Sequence, residues 1–147
     1  IASPLRMLDC CPVSDGAAAV VVSAAETGRD RPKRVVEILG TGEGHTHEHI
    51  FAAPSLVDFG CRESVADALG RAGLKHADVD CAHIYDCFTS TLLIQLESMG
   101  FYERGAAGPA ALASEFAIGG RFPLNSNGGL LSYGSSGPAG GMFHVVE

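Results

Sequence analysis

Three sets of residues carry groups that could do chemistry. The first lies in residues 125–142, NSNGGLLSYGSSGPAGGM, where Gly128, Gly129, Gly134, Gly137, Gly140 and Gly141 alternate with amides and small hydroxyls. Glycine admits backbone conformations that other residues resist and lets a ligand approach the main chain closely. The stretch runs into Met142, Phe143, Val145 and Val146, which read as the start of a buried helix. A glycine-rich turn at a helix start offers N–H groups and a partial positive charge that suit a carbonyl oxygen, an oxyanion or a phosphate. A tight turn that lets a helix pack on a sheet would need the same glycines. The second set is Tyr85-Asp86-Cys87-Phe88-Thr89, at a strand-to-helix junction. A phenol there can donate to an oxyanion or move a proton, or simply bury its ring and satisfy its hydroxyl at a loop. The third is His45, His47 and His49, which would share one face of an extended segment and could bind zinc or copper. No cysteine or histidine partner stands at a ligand spacing, so no metal site is expected and the segment reads as a polar loop.

Elements must position these groups. The order of strand-like and helix-like segments predicts an α/β fold. Residues 17–22 are a short apolar run after the Ser14-Asp15-Gly16 turn and read as a buried strand. Residues 29–33, RDRPK, read as a polar linker. Residues 34–39 and 81–85 read as further strands. Residues 62–73 have an amphipathic pattern with Val65, Ala66, Leu69 and Ala72 on one face and Gly73 as the stop. Residues 88–99 predict a second helix with Leu92, Leu93, Leu96 and Met99 facing in, capped by Gly100. Residues 109–116 read as a short third one.

Composition limits the function classes. The 147 residues are 46% hydrophobic and 18% charged, which describes a globular chain with a real core. A net charge of −7 argues against nucleic acid. No run approaches the roughly 20 apolar residues of a membrane-spanning helix. Nothing resembles a signal peptide. Five cysteines, an odd number without a framework spacing, point to reduced thiols in a cytoplasmic protein. Adjacent Cys10 and Cys11 read as structural thiols.

The glycine stretch resembles the C-terminal active-site loop of the thiolase superfamily, NxNGGxxxxGHPxGxxG. Asn125, Asn127, Gly128, Gly129 and Gly134 match it, while Ser135 and Ser136 stand where the family has histidine and proline. The opening DCCPVSDGAAAVVV is similar to the family's NxSGxxDGAAA, in the form of the sterol-carrier-protein-type and bacterial lipid-transfer thiolases. The Tyr85 junction is similar to Asn-Glu-Ala-Phe-Ala, or to His-Asp-Cys-Phe in the sterol-carrier type.

The resemblance implies a thiolase-like layered fold, present in part as most of the C-terminal half. Residues 1–30 would end the N-terminal half, and residues 31–147 would form a C-terminal half stopping before its last strands. It implies an acyl-CoA acyltransferase that makes or breaks a carbon–carbon bond beside a CoA thioester in lipid or steroid side-chain metabolism. Coenzyme A would be a substrate, with no other cofactor. The nucleophilic cysteine of the family belongs to the first half, so Cys87 is not expected to serve. Tyr85 and Ser135 would be catalytic, Asn127, Gly128, Gly129, Tyr133 and Gly134 would bind substrate, and Asp86 would orient the loop. Serine cannot replace histidine as a base. A thiolase-like subgroup of retro-aldolases on CoA-activated steroid side chains uses tyrosines instead, with an OB-fold/zinc-ribbon partner protein, and Tyr85 and Tyr133 suit that role. A non-catalytic lipid-binding or scaffold protein is the third reading. The family also implies a homodimer.

Overall fold

The computed structural model describes residues 3–28 and 35–146. The linker reading at residues 29–33, and Arg34, lie outside the described residues. Six α-helices appear among them: α1 (Ala25–Gly28), α2 (Cys61–Ala72), α3 (Thr89–Ser98), α4 (Ala107–Leu112), α5 (Gly129–Tyr133) and α6 (Ala139–Val146). No helix among the described residues is long and apolar enough to cross a membrane.

The two longer expected helices form where the periodicity places them. Gly73 follows α2 with φ 69°, and the N–H of Leu74 returns to the Leu69 carbonyl at 2.9 Å. Gly100 ends α3 in the same way, with φ 86° and a bond from Phe101 N–H to Leu96 O at 3.1 Å. Left-handed glycine is the usual means of satisfying the last carbonyls of a helix. α3 supplies the centre of the core. Leu96 is fully buried beside Ile84, Ala107, Phe122 and Leu124, and Leu92, Leu93, Met99, Phe101 and Phe116 pack around them. The third helix arrives earlier than expected, at Ala107–Leu112, where Ala107 and Ala110 face the core.

The strand expectations need correction. Among the described residues there is no strand, only isolated bridges pairing Cys10 with Phe88, Val13 with Ser135 and Ala82 with Leu124. At residues 17–22 and 35–39 the apolar residues face outward: Val21 is 97% exposed and Val36 89%. An apolar run becomes a strand only when a neighbouring backbone takes its N–H and C=O groups. None does so here among the described residues. The layered sheets that the resemblance implies are not seen among the described residues.

Residues 81–85 come nearest to a strand. Ala82 N–H bonds Pro123 O at 3.1 Å, and Asn125 N–H bonds Ala82 O at 3.0 Å, in a parallel register. The Asn125 side chain then continues the ladder. Its Oδ1 accepts from Ile84 N–H at 2.8 Å and its Nδ2 donates to Ile84 O at 2.9 Å. The amide thus replaces a peptide group where the backbone has left the register. Asn125 itself has φ 44°, a conformation that asparagine tolerates better than most residues. Asn125→Ala strands both backbone groups of buried Ile84. At roughly 1–3 kcal/mol for each of the two buried groups left unpaired, the intact protein should lose about 2–6 kcal/mol, measured as a lower denaturation midpoint.

Candidate active site

The site is built where three chain segments meet. Residues 10–14 run between the Tyr85 junction and the glycine loop. Cys11 N–H bonds Cys87 O at 2.9 Å on one side. On the other, Ser135 N–H bonds Pro12 O at 2.8 Å and Ser14 N–H bonds Ser135 O at 3.1 Å. Gly134, with φ 95°, lies so close to Ser14 and Pro12 that a β-carbon would collide with both. All five cysteines are free. Burial pushes the Cys11 thiol up, and the neighbouring Cys87 and Asp86 push the same way. Such a thiol stays protonated and is a poor nucleophile.

Asp86 is the anchor. It is 2% exposed, and its Oδ1 accepts from Leu130 N–H at 2.8 Å while Oδ2 accepts from Leu131 N–H at 3.4 Å. A carboxylate at the first turn of a helix satisfies otherwise orphaned amides and opposes the helix dipole. Gly129 turns over the carboxylate with φ 65°, and a β-carbon there would overlap it. Asn127 Oδ1 accepts from Gly129 N–H at 3.0 Å, and Gly128 N–H bonds Asn125 O at 2.7 Å.

These bonds change the expected chemistry of the loop. The amides of Gly128, Gly129, Leu130, Leu131, Gly134 and Ser135 all have acceptors within the protein. Two side-chain donors in the loop are buried without a partner, Asn127 Nδ2 and the hydroxyl of Ser136. Asn127 also lines an open pocket of about 370 Å³ with Tyr133, Phe143 and Val146. The Tyr133 ring meets Phe143 edge-on at 6.1 Å, and Tyr133 is 42% exposed. Tyr85 is 39% exposed, its carbonyl accepting from Gln95 Nε2 at 2.6 Å, and it is not part of that lining. The structure therefore brings Asn127, Gly128, Gly129, Tyr133, Gly134 and Ser135 into one loop region. It sets Tyr85 beside that region through Asp86.

The helix after the loop differs from its sequence expectation. Val145 and Val146 are 63% and 49% exposed. Gly140 is buried, Met142 and Phe143 are half-buried, and one turn after Gly140 the His144 side chain is only 7% exposed. Glycine at 140 brings α6 against Leu130 and Ser135, which carries the following turn inward too. His144 Nε2 lies 3.6 Å from Asp86 Oδ1, and the His83 ring is 6.0 Å from the His144 ring. Burial lowers the pKa of His144, Asp86 pulls it back up, and His83 adds to the lowering. Neither histidine was singled out by sequence. The readable signal was a lone polar residue at i+4 from a loop glycine, within an apolar helix.

The three alternating histidines do not converge. His45 Nε2 meets Glu43 at 2.7 Å, His47 Nδ1 meets Thr46 Oγ1 at 2.8 Å, and His49 stacks on Phe51. Among the described residues no cluster of three or more metal-ligating side chains forms.

The chain is similar to several known proteins. A family profile described as thiolase C-terminal domain-like matches residues 42–147. A 17-hydroxy-3-oxo-4-pregnene-20-carboxyl-CoA lyase of Mycobacterium tuberculosis is 38% identical over 97% of this chain and 39% of its own length. An acetyl-CoA acetyltransferase of Methanothermobacter thermautotrophicus is 33% identical over 100% of this chain and 39% of its own. A solved structure titled Ltp2-ChsH2(DUF35) aldolase superposes with a TM-score of 0.78 at 30% identity, covering 89% of this chain and 36% of that one. The chain spans about two-fifths of the length of these relatives. With the profile covering well over half of its residues, the chain belongs to the thiolase C-terminal domain-like family.

Proposed function

We propose that this chain forms part of the active site of a carbon–carbon lyase that cleaves a β-hydroxyacyl-CoA by a retro-aldol reaction in lipid or steroid side-chain breakdown. The observation that carries this reading is the pocket beside the glycine loop. Its acid–base side chain is Tyr133, while the position of the family's histidine is filled by Ser135. In the proposed reaction the β-hydroxyl gives up its proton and its oxygen becomes a carbonyl. The Cα–Cβ bond breaks, its electron pair passes to the thioester as an enolate, and Cα then takes a proton. No redox step is involved, and free CoA is not consumed. Tyr133 exchanges the β-hydroxyl proton, Tyr85 supplies the second phenol, and Asn127 Nδ2 donates to the thioester oxygen. Gly128, Gly129 and Gly134 fix the loop. The lyase and aldolase relatives support this order of readings.

Thiolase-type acyl transfer, the sequence's first expectation, is the second reading. It is favoured by two acetyl-CoA acetyltransferase relatives, each of which matches the whole chain. It requires a cysteine nucleophile, which the resemblance places in the first half of the family's chain. In either reaction acyl-CoA is the substrate, and no other cofactor is needed. We also propose a homodimer and an OB-fold/zinc-ribbon partner protein, the latter supported by the two components named in the aldolase structure's title.

The test is a pair of assays on the intact protein. Retro-aldol cleavage predicts a free carbonyl compound and a shortened CoA ester from a β-hydroxyacyl-CoA, without added CoA. Cleavage of a 3-ketoacyl-CoA that depends on free CoA, with the β-hydroxy compound left intact, would establish acyl transfer instead.

A further inference from the structure

Behind the glycine loop lies a polar cluster that the proposed reaction does not use, with Asp86 buried and His83 and His144 half-buried. Asp86 and His83 leave the same segment on either side of Tyr85, and His144 reaches them from α6. Each of the first two holds one end of the Asn127-Gly128-Gly129 turn. His83 Nε2 lies 3.3 Å from Ser126 Oγ, just before Asn127. Asp86 holds the Leu130 and Leu131 amides, just after Gly129. His144 stands between them, 3.6 Å from the carboxylate and 6.0 Å, ring to ring, from His83. Its two ring nitrogens, and His83 Nδ1, are buried without hydrogen-bond partners.

We infer that His144 is a positioning residue whose protonation state controls the Asn127-Gly128-Gly129 turn. A neutral His144 at 3.6 Å leaves the full charge of Asp86 to the helix amides. A protonated His144 becomes a charge-assisted donor to the same Oδ1 and competes with Leu130 N–H for it. The grip on the turn at its Asp86 end then loosens. The groups facing His144 are Asp86 and His83 from the Tyr85 segment. Burial is the largest influence on the ring and keeps it neutral near pH 7. The sign for stability follows. Because the folded value lies below the ordinary one of about 6.5, the contribution of His144 to folding is fully present above that pH. It is lost as the pH falls through the folded value.

The inference depends only on the turn, not on which carbon–carbon reaction the protein runs, so its test needs no substrate. In intact protein labelled with ¹³C-histidine and ¹⁵N-leucine, the His144 ring is followed by NMR as the pH is lowered. The expected result is that the Leu130 and Leu131 amide signals move with the same midpoint as the ring. In His144→Gln, which cannot take the proton, that movement is abolished. Amides that stay fixed while His144 titrates, or that move equally in His144→Gln, would overturn it. Should the variant fail to fold, the wild-type titration alone decides, by whether ring and amides share one midpoint. With a turned-over substrate in hand, the acid limb of kcat should flatten in His144→Gln while KM changes little. A structural role alone would leave the limb in place.

Discussion

Tyr133→Phe should lower turnover by roughly 10²–10³-fold while leaving the intact protein folded. The change removes one hydroxyl from a ring that is 42% exposed and packs edge-on against Phe143. The apolar contact with Phe143 survives the change. What is lost is a donor and proton carrier in the pocket it shares with Asn127. Removing a group that touches developing charge typically costs on the order of 10²–10³ in rate, and general acid–base catalysis about 10²–10⁴. Tyr85→Phe should reduce turnover as well. Ser135→Ala should do least, because Ser135 is held by its backbone, between Pro12 and Ser14. Measuring kcat for the three variants orders them. If Ser135→Ala were the most damaging and Tyr133→Phe silent, the tyrosine assignment would be wrong.

Gly129→Ala should be the most damaging single change to the loop's structure. Its φ is 65°, and the added methyl would lie on the Asp86 carboxylate. The left-handed conformation costs a residue with a β-carbon roughly 1–2 kcal/mol, and overpacking about 1–3 more. Relief by moving Asp86 would release Leu130 N–H, which is itself buried. A loss of about 2–5 kcal/mol is therefore expected, together with nearly all activity. Gly141→Ala is the control: nothing lies within 4 Å of the added carbon, and the residue sits within α6. Alanine favours a helix over glycine by about 1 kcal/mol, so this variant should melt at or above the wild type. Thermal unfolding of the pair measures the contrast.

The helices and the site's glycines were legible because their causes are local. Gly73 and Gly100 end helices through their own conformations, and a 3.6-residue pattern marks α2 and α3. The strands were not legible in this sense, because a strand is a relation between segments. Residues 17–22 carry the right side chains, yet Val21 is 97% exposed. The motif at residues 125–129 lies against the Tyr85 junction through Asp86, but its residue types did not show how its amides would be used. That depended on Asp86, a contact 44 positions away from Leu130. Asn125, a match to the family's loop pattern, acts as a backbone substitute for Ile84. His144 was hidden because an apolar helix start drew attention to the valines around it, whereas the glycine at 140 decides which face turns inward.

The most direct measurement is a crystal structure of the intact protein with a β-hydroxyacyl-CoA analogue whose Cα–Cβ bond cannot break. The account predicts the acyl end in the pocket of Asn127, Tyr133 and Phe143, with the Tyr133 hydroxyl in hydrogen-bond contact with the β-oxygen and Asn127 Nδ2 turned to the thioester oxygen. An acyl end bound away from this pocket, with Tyr133 in solvent and Asn127 unmoved, would contradict it.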